Sequence, residues 1–306
     1  CCVEDSDASD INSLLDRANM ALKPIKVKGA AQWKFYDHTM RDKLLREKDL
    51  EIRMEKALAD GEFLVYIQPK YWVGTRALAG GEALVRWKSP DQGFLSPGEF
   101  IPLFEKNRFI VKLDQFMFTS VCGLLRQWLD AGIEPRPLSV NVSRMQFHTP
   151  DFVERYIRIK SLYAIPDGLL ELEFTESIFF DNVALLSSAV HELRRAGIKC
   201  SIDDFGAGYS SLNVLKALPV SVLKLDGMFF RTAKDDEQAK IVIRNIMRMA
   251  GELKMATVAE GVETHEQVAF LETTGCDIIQ GYVFARPMPA AEFTELLAGE
   301  GGHAER

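Results

Sequence analysis

LLELEFTE at residues 169–176 and KCSIDDF at 199–205 bracket the segment whose reading decides the fold. Each is a short apolar run that closes on carboxylates, Glu173 and Glu176 in the first, Asp203 and Asp204 in the second. Between them Leu186, Ala189, Val190 and Leu193 share one helical face, and Gly197 follows as a stop. Strand, helix and strand in that order make a βαβ unit.

Working outward, segments of the same kind recur: FLVYIQP (63–69), LAGGEALVRW (78–87), LSVNVS (138–143), VLKLD (222–226), ATVAEGV (256–262) and DIIQGY (277–282). Helical periodicity fills most of the intervals. Phe118, Val121, Cys122, Leu125, Trp128 and Leu129 share a face, as do Val242, Ile246, Met249 and Leu253. Eight strands alternating with helices predict a closed (β/α) barrel of the TIM type over residues 62–300, with a doubly wound sheet as the alternative. Residues 41–61, rich in charge and strong helix formers, read as a linker helix stopped at Gly61. Upstream, Ile11, Leu14, Leu15, Ala18, Ala21 and Leu22 fall at helical spacing, Pro24 ends the run, and QWKFYD (33–38) reads as a short strand. One helix and one strand cannot make a core alone, so residues 1–40 are expected to be a short α/β remnant, and 301–306 a tail.

The 306 residues are 47% apolar and 26% charged, enough for one sizeable core. With 37 basic against 44 acidic side chains the net charge is −7, which argues against a nucleic-acid polymer as partner. The five cysteines are too scattered for a disulfide framework and form no CxxC pair, so a cytoplasmic location is the simpler expectation. No apolar run approaches the roughly 20 residues of a membrane span, and no signal segment opens the chain. Because the first residue is Cys1, the chain is expected to be part of a longer protein, whose upstream region could carry an anchor.

The chemistry gathers at the strand ends. Glu82, Asn141, Glu173 with Glu176, Asp203 with Asp204, Lys224 with Asp226, Glu260 with Glu263, and Gln280 close seven successive apolar segments. In a barrel all those ends meet on one face, where such enzymes place their sites. Carboxylates gathered there repel one another and take up protons unless cations compensate. Oxygen donors without cysteine or histidine favour hard divalent ions: Mg²⁺, Mn²⁺ or Ca²⁺. Two such ions about 3.5–4 Å apart clamp the attacking and leaving oxygens of a phosphodiester hydrolysis. Each residue also has a structural reading: Glu171 and Glu173 as a strand-edge pair, Asn141 as a turn cap, Lys224 as the partner of Asp226 or Asp204. All of these together, at seven strand ends, are far less economical than one site. DDFGAGYSSL (203–212), with two glycines directly after two carboxylates, reads as a mobile loop over that site.

These residues carry a family resemblance. YIQP (66–69), GGEALVRW (80–87), SPGEFIPLFE (96–105), NVSRMQF (141–147), LELEFTES (170–177), IDDFGAGYSSL (202–212), LKLDG (223–227), AEGVE (259–263) and QGYVFARP (280–287) occur in one order. The stretch from about 62 to 300 resembles the EAL-domain phosphodiesterases, which hydrolyse cyclic di-GMP to linear pGpG. The resemblance implies a barrel whose first strand runs against the others, and two Mg²⁺ or Mn²⁺ ions. It implies Glu82, Asn141, Glu173 and Asp203 as ligands of one metal, and Asp203, Asp204 and Glu260 as holding or supporting the second. It further implies Lys224 on the nucleophilic water and Glu263 as a carboxylate supporting that water. Glu176 is implied as the anchor of the glycine loop, linking metal occupancy to dimerisation. Gln68, Leu84, Arg86, Asp226 and Gln280 are the implied ligand contacts, with Arg86 on a phosphate. A homodimer is expected on the same ground.

Two departures, Phe104 where the family usually has alanine and Asn107-Arg108-Phe109 where it typically has glycine, are expected on the rim. ANMALKPIKVKGAAQWKFY (18–36) is similar to the degenerate end of a GGDEF domain whose signature is absent, so no cyclase activity is expected, and further GGDEF or sensory domains are expected upstream. The alternative function is a catalytically inactive cyclic di-GMP receptor that signals to a partner. A third, a metal-dependent aldolase or isomerase, lacks a glycine-rich phosphate cradle in QGYVFARP.

Overall fold

In a computed structural model, residues 11–22, 33–176, 178, 183–206, 219–232 and 236–301 are described. Among the described residues the alternation read in the sequence becomes ten strands: β1 (Phe63–Trp72), β2 (Leu78–Ser89), β3 (Gly93–Leu95), β4 (Leu138–Asn141), β5 (Leu170–Thr175), β6 (Lys199–Phe205), β7 (Val222–Leu225), β8 (Ala256–Ala259), β9 (Ile278–Ile279) and β10 (Met288–Pro289). They form one sheet in the order β10-β1-β9-β8-β7-β6-β5-β4-β2-β3, and a further β1–β2 pairing closes it into a barrel. β2, β4, β5, β6, β7, β8 and β9 run parallel to one another, whereas β1 runs antiparallel to β2 and β9, and to the short β10. The expected barrel with a reversed first strand is the fold.

Successive residues of a strand face opposite sides. In β5, β6 and β7 one face carries Leu172, Phe174, Ile202, Leu223 and Leu225, which join the main apolar core with helices α4 (Ile110–Asp130), α5 (Phe152–Leu162) and α6 (Val183–Arg195). The other face turns Glu173, Asp203 and Lys224 into the lumen, where all three are buried. Burying each large apolar side chain contributes about 1.5–3 kcal/mol, so the outer layer can support charge within.

A second cluster lies where helix α2 (His38–Ala59) meets helix α3 (Pro97–Asn107) and β2: Leu50, Ala57, Phe63, Trp87, Phe100, Phe104 and Phe109. Phe104 is fully buried, its ring 4.8 Å from that of buried Phe109, so these two side chains fill a core and do not lie on the rim, whereas Asn107 is half-buried and Arg108 exposed. Arg108 caps α3 with φ 66°, in the left-handed region where glycine is the unstrained residue. The linker helix begins three residues before the expected start, capped by Asp37, whose side chain accepts from Thr39 N at 2.9 Å. The helix expected at residues 11–22 forms as α1 (Ile11–Leu22). The strand expected at 33–38 does not form: residues 33–37 are irregular and His38 opens α2. A lone segment has no sheet edge to pair with, and backbone groups left unpaired stay solvated. Residues 1–10, 23–32 and 302–306, with most of the glycine loop (207–212), lie outside the described residues.

Candidate active site

Where β2, β5, β6, β7 and β8 converge, the lumen holds the Lys224 ammonium among four carboxylates. Lys224 Nζ lies 2.5 Å from Glu173 Oε2, 2.6 Å from Glu260 Oε1, 3.0 Å from Asp203 Oδ1 and 3.6 Å from Glu82 Oε2. Its side chain is 1% exposed. Both structural readings of Lys224, pairing with Asp226 or Asp204, give way to this arrangement. Asn141 donates to Glu82 Oε1 at 2.7 Å, and Gln280 donates to Glu82 Oε2 at 2.6 Å and to Gln68 Oε1 at 3.1 Å. Glu82 is thereby fixed at both oxygens.

Asp203 and Asp204 reach the same place because β6 breaks its register between Ile202 and Phe205, and Asp204 takes φ 54°. The bulge turns adjacent carboxylates to one side, which a regular strand would send to opposite faces. One oxygen each of Asp203, Asp204 and Glu260 lies within 4.8 Å of the others, close enough to hold a single cation.

The electrostatics follow from burial and crowding. Burial, then the neighbouring Glu173 charge, raises the Glu82 carboxyl above the usual range. Glu260 rises well above it, through burial and then through Asp203, Glu82 and Glu173 outweighing Lys224. Asp204 rises through burial and then Asp203 and Asp226. Burial also acts to raise Glu173, but the ammonium groups of Lys224 and Lys70 prevail and hold it down to about 2. Burial disfavours the Lys224 ammonium, yet Asp203, Glu173, Glu260 and Glu82 push its proton affinity well above the ordinary value. Carboxylates outnumber ammonium groups here, so the site retains protons until cations replace them.

A cavity of about 260 Å³ opens beside the cluster, lined by Gln68, Glu82, Leu84, Asp226, Glu260 and Gln280 with Gly227, Met228 and Gly261. It brings four of the five expected ligand contacts together. Arg86 stands apart: its Nη1 donates to the Val85 carbonyl at 2.9 Å, its guanidinium lies over the Tyr66 ring, and it lines a second cavity of about 300 Å³. Glu176 accepts from Gly206 N at 3.1 Å, where the glycine loop begins. Glu263 is exposed in the turn beyond β8, its backbone N–H donating to Gln267 Oε1.

Two groups escaped sequence reasoning. Lys70, from β1, donates to Ser139 Oγ at 2.7 Å and to Glu173 Oε1 at 2.9 Å while 5% exposed. It stands two residues after Gln68, on the same strand face, and that spacing was the available signal. Asp114 lies on the apolar stripe of α4, accepts from Ser143 N and Gln146 Nε2, and lines the second cavity with Glu105 and Asn141. Burial pushes its carboxyl up to about 7.

Comparison with known proteins agrees with this geometry. Residues 52–287 match the model of the EAL domain. The chain is 34% identical to the cyclic di-GMP phosphodiesterase NbdA of Pseudomonas aeruginosa over 292 residues, 95% of this chain and 37% of that protein. It is 37% identical to another cyclic di-GMP phosphodiesterase of Pseudomonas aeruginosa over 238 residues, 78% of this chain and 40% of that protein. The chain thus spans about two-fifths of the length of its curated relatives. The solved PaMucR phosphodiesterase in complex with c-di-GMP superposes with a TM-score of 0.76 at 35% identity, covering 80% of this chain and 99% of the other. Barrel, reversed first strand and family match converge: the chain belongs to the EAL domain family.

Proposed function

We propose that this chain hydrolyses cyclic di-GMP to linear pGpG, a reaction in which one phosphorus–oxygen ester bond of the ring breaks and water supplies the new oxygen on phosphorus. The observation that carries the reading is the convergence of Glu82, Glu173, Asp203 and Glu260 on one buried point. The names of the relatives and of the c-di-GMP complex support the substrate.

The donor set fits divalent cations: oxygen ligands only, mostly buried, with negative charge in excess. Glu82, Asn141, Glu173 and Asp203 would hold one Mg²⁺ or Mn²⁺, and Asp203, Asp204 and Glu260 the other. Bound there, such ions supply charge stabilisation to a phosphodiester undergoing in-line displacement and lower the pKa of water. The chain's own residues do the rest. Lys224, permanently charged in this surrounding, acts as the electrostatic partner of developing negative charge. Gln68, Leu84, Asp226 and Gln280 orient the nucleotide in the cavity they line. Arg86 reaches a phosphate by leaving its present contact with Val85, and Glu263 supports the water by closing from the turn after β8. Glu176 ties the glycine loop to the site.

Residues 1–40 are proposed as the end of a GGDEF-like domain, 41–61 as a linker, 62–300 as the catalytic barrel and 301–306 as a tail. The whole protein is proposed to carry GGDEF or sensory domains upstream and to work in the cytoplasm as a homodimer. Among the described residues no helix is long and apolar enough to cross a membrane.

The test is product analysis with purified protein, cyclic di-GMP and Mg²⁺ or Mn²⁺. Appearance of pGpG is expected; bound but uncleaved ligand would instead establish the receptor alternative. Glu82→Ala should abolish turnover with the barrel still folded by circular dichroism. Unchanged turnover would remove Glu82 from the mechanism.

A further inference from the structure

Resting on the metal-dependent reading above, we infer that Lys70 is a positioning residue that commits Glu173 to coordinate a metal through one oxygen only. A carboxylate with both oxygens free can swing about its last torsion and bind a cation with one oxygen or two. Glu173 has no such freedom. Lys70 Nζ holds Oε1 at 2.9 Å, and Oε2 alone faces the centre of the site, 2.5 Å from Lys224 Nζ. Lys70 is itself fixed, because its ammonium also donates to Ser139 Oγ at 2.7 Å and that hydroxyl lies 3.4 Å from the Gly81 carbonyl.

The reversed strand makes this possible. In β1 Gln68 pairs with Glu82 and Lys70 with Gly80, so Lys70 starts one layer below the carboxylates. Gly80 offers no side chain to compete for the lumen. The lysine therefore rises past β2 and β4 to meet β5 from beneath, while Lys224 meets the same carboxylate from its other side. Groups that orient a metal ligand from behind are worth about 10–100-fold in metal affinity when removed.

A bare charge and a positioning group predict opposite signs. Removing a cation from a pocket that binds cations tightens metal binding if charge is all that matters. Releasing Glu173 weakens it. The experiment is titration of Mn²⁺ alone into purified protein, with free ion counted by electron paramagnetic resonance, for wild type, Lys70→Met, Lys70→Arg and Ser139→Ala. Lys70→Met should weaken the tighter Mn²⁺ by about tenfold or more. Lys70→Arg should recover part of the loss, and Ser139→Ala, which keeps both charged groups, should weaken binding by a smaller factor. At saturating Mn²⁺ the variants should recover most of their turnover, separating orientation of the ligand from the chemistry. Equal or tighter Mn²⁺ binding by Lys70→Met overturns the inference. Should Lys70→Met fail to fold, unchanged affinity in Ser139→Ala overturns it. A wild-type protein that binds no Mn²⁺ would instead bring down the metal-dependent reading, and Lys70's role with it, before any variant is compared.

Discussion

Replacing Lys224 by methionine tests the buried charge cluster most directly. The side chain is 1% exposed and has carboxylate oxygens at 2.5, 2.6, 3.0 and 3.6 Å. At an effective dielectric of about 20, one ionised contact near 3 Å is worth about 5 kcal/mol before desolvation is subtracted. Glu82 and Glu260 are pushed towards their protonated forms and contribute less than that. Removing one partner of a buried ionic group costs about 3–5 kcal/mol. In a barrel of this size that lowers the melting temperature by about 6–10 °C. The assay is thermal unfolding in EDTA, repeated with excess Mn²⁺. A cation bound at about 100 times its Kd adds about 2.7 kcal/mol per site and takes over part of the neutralisation, so the gap between wild type and variant should narrow. A variant that melts with wild type in EDTA would refute the charge cluster. A gap that Mn²⁺ leaves unchanged would show that the cations bind elsewhere.

Two further outcomes follow from the perturbed carboxyls. Because Glu82, Glu260 and Asp204 hold protons above the ordinary carboxylate range, Mn²⁺ should bind more tightly as pH rises and should release protons on binding. Calorimetry in buffers of different ionisation enthalpy measures that release, and its complete absence across the pH range would contradict the crowding described here. Asp114 titrates near 7 in the fold against 3.8 unfolded, so the native state binds the extra proton between those values and its stability falls as pH rises through them. Asp114→Asn should therefore flatten the dependence of melting temperature on pH between about 5 and 7, and an unchanged slope would assign that dependence to other groups.

What was legible in the sequence was whatever interrupted an apolar strand. A charged or amide side chain inside an apolar strand, as in LELEF or SIDDF, contradicts its neighbours, and seven such contradictions in order locate the face where the strands end. Lys70 is not legible because FLVYIQP reads as a strand that stops at Pro69, whereas β1 continues to Trp72 with that proline paired opposite Gly81. Asp114 sits at the spacing of Ile110, Leu113 and Met117 on α4, and an acid on an apolar stripe was the missed signal. Arg86 shares the strand face of Glu82 and Leu84, yet alternation says nothing of where a long side chain turns at the lip of a barrel, and it folds back over Tyr66. The strand expected at 33–38 had local propensity and no neighbour to pair with, a long-range condition that a local pattern does not contain.

The reversed first strand gives the site a dependence on backbone register that can be tested without touching any ligand. A slip of one residue would turn Gln68 and Lys70 outward and bring Ile67 and Pro69 into the lumen. Gly81 is one guard against that slip: a Cβ there would stand 2.4 Å from Ile67 Cγ2 and 3.2 Å from the Phe293 ring, so the β1–β2 hairpin closes only around a glycine. Gly81→Ala should cost about 1–3 kcal/mol as overpacking. Since Gln68 and Lys70 alternate with Ile67 and Pro69 on the strand that must move, it should also weaken Mn²⁺ binding. Gly251→Ala, on a helix with open space around it, is the control: it should keep wild-type Mn²⁺ affinity and lose no stability, gaining up to about 1 kcal/mol. If Gly81→Ala loses stability yet keeps its Mn²⁺ affinity, the hairpin is a structural closure alone, and the carboxylates of the parallel strands hold their geometry without it.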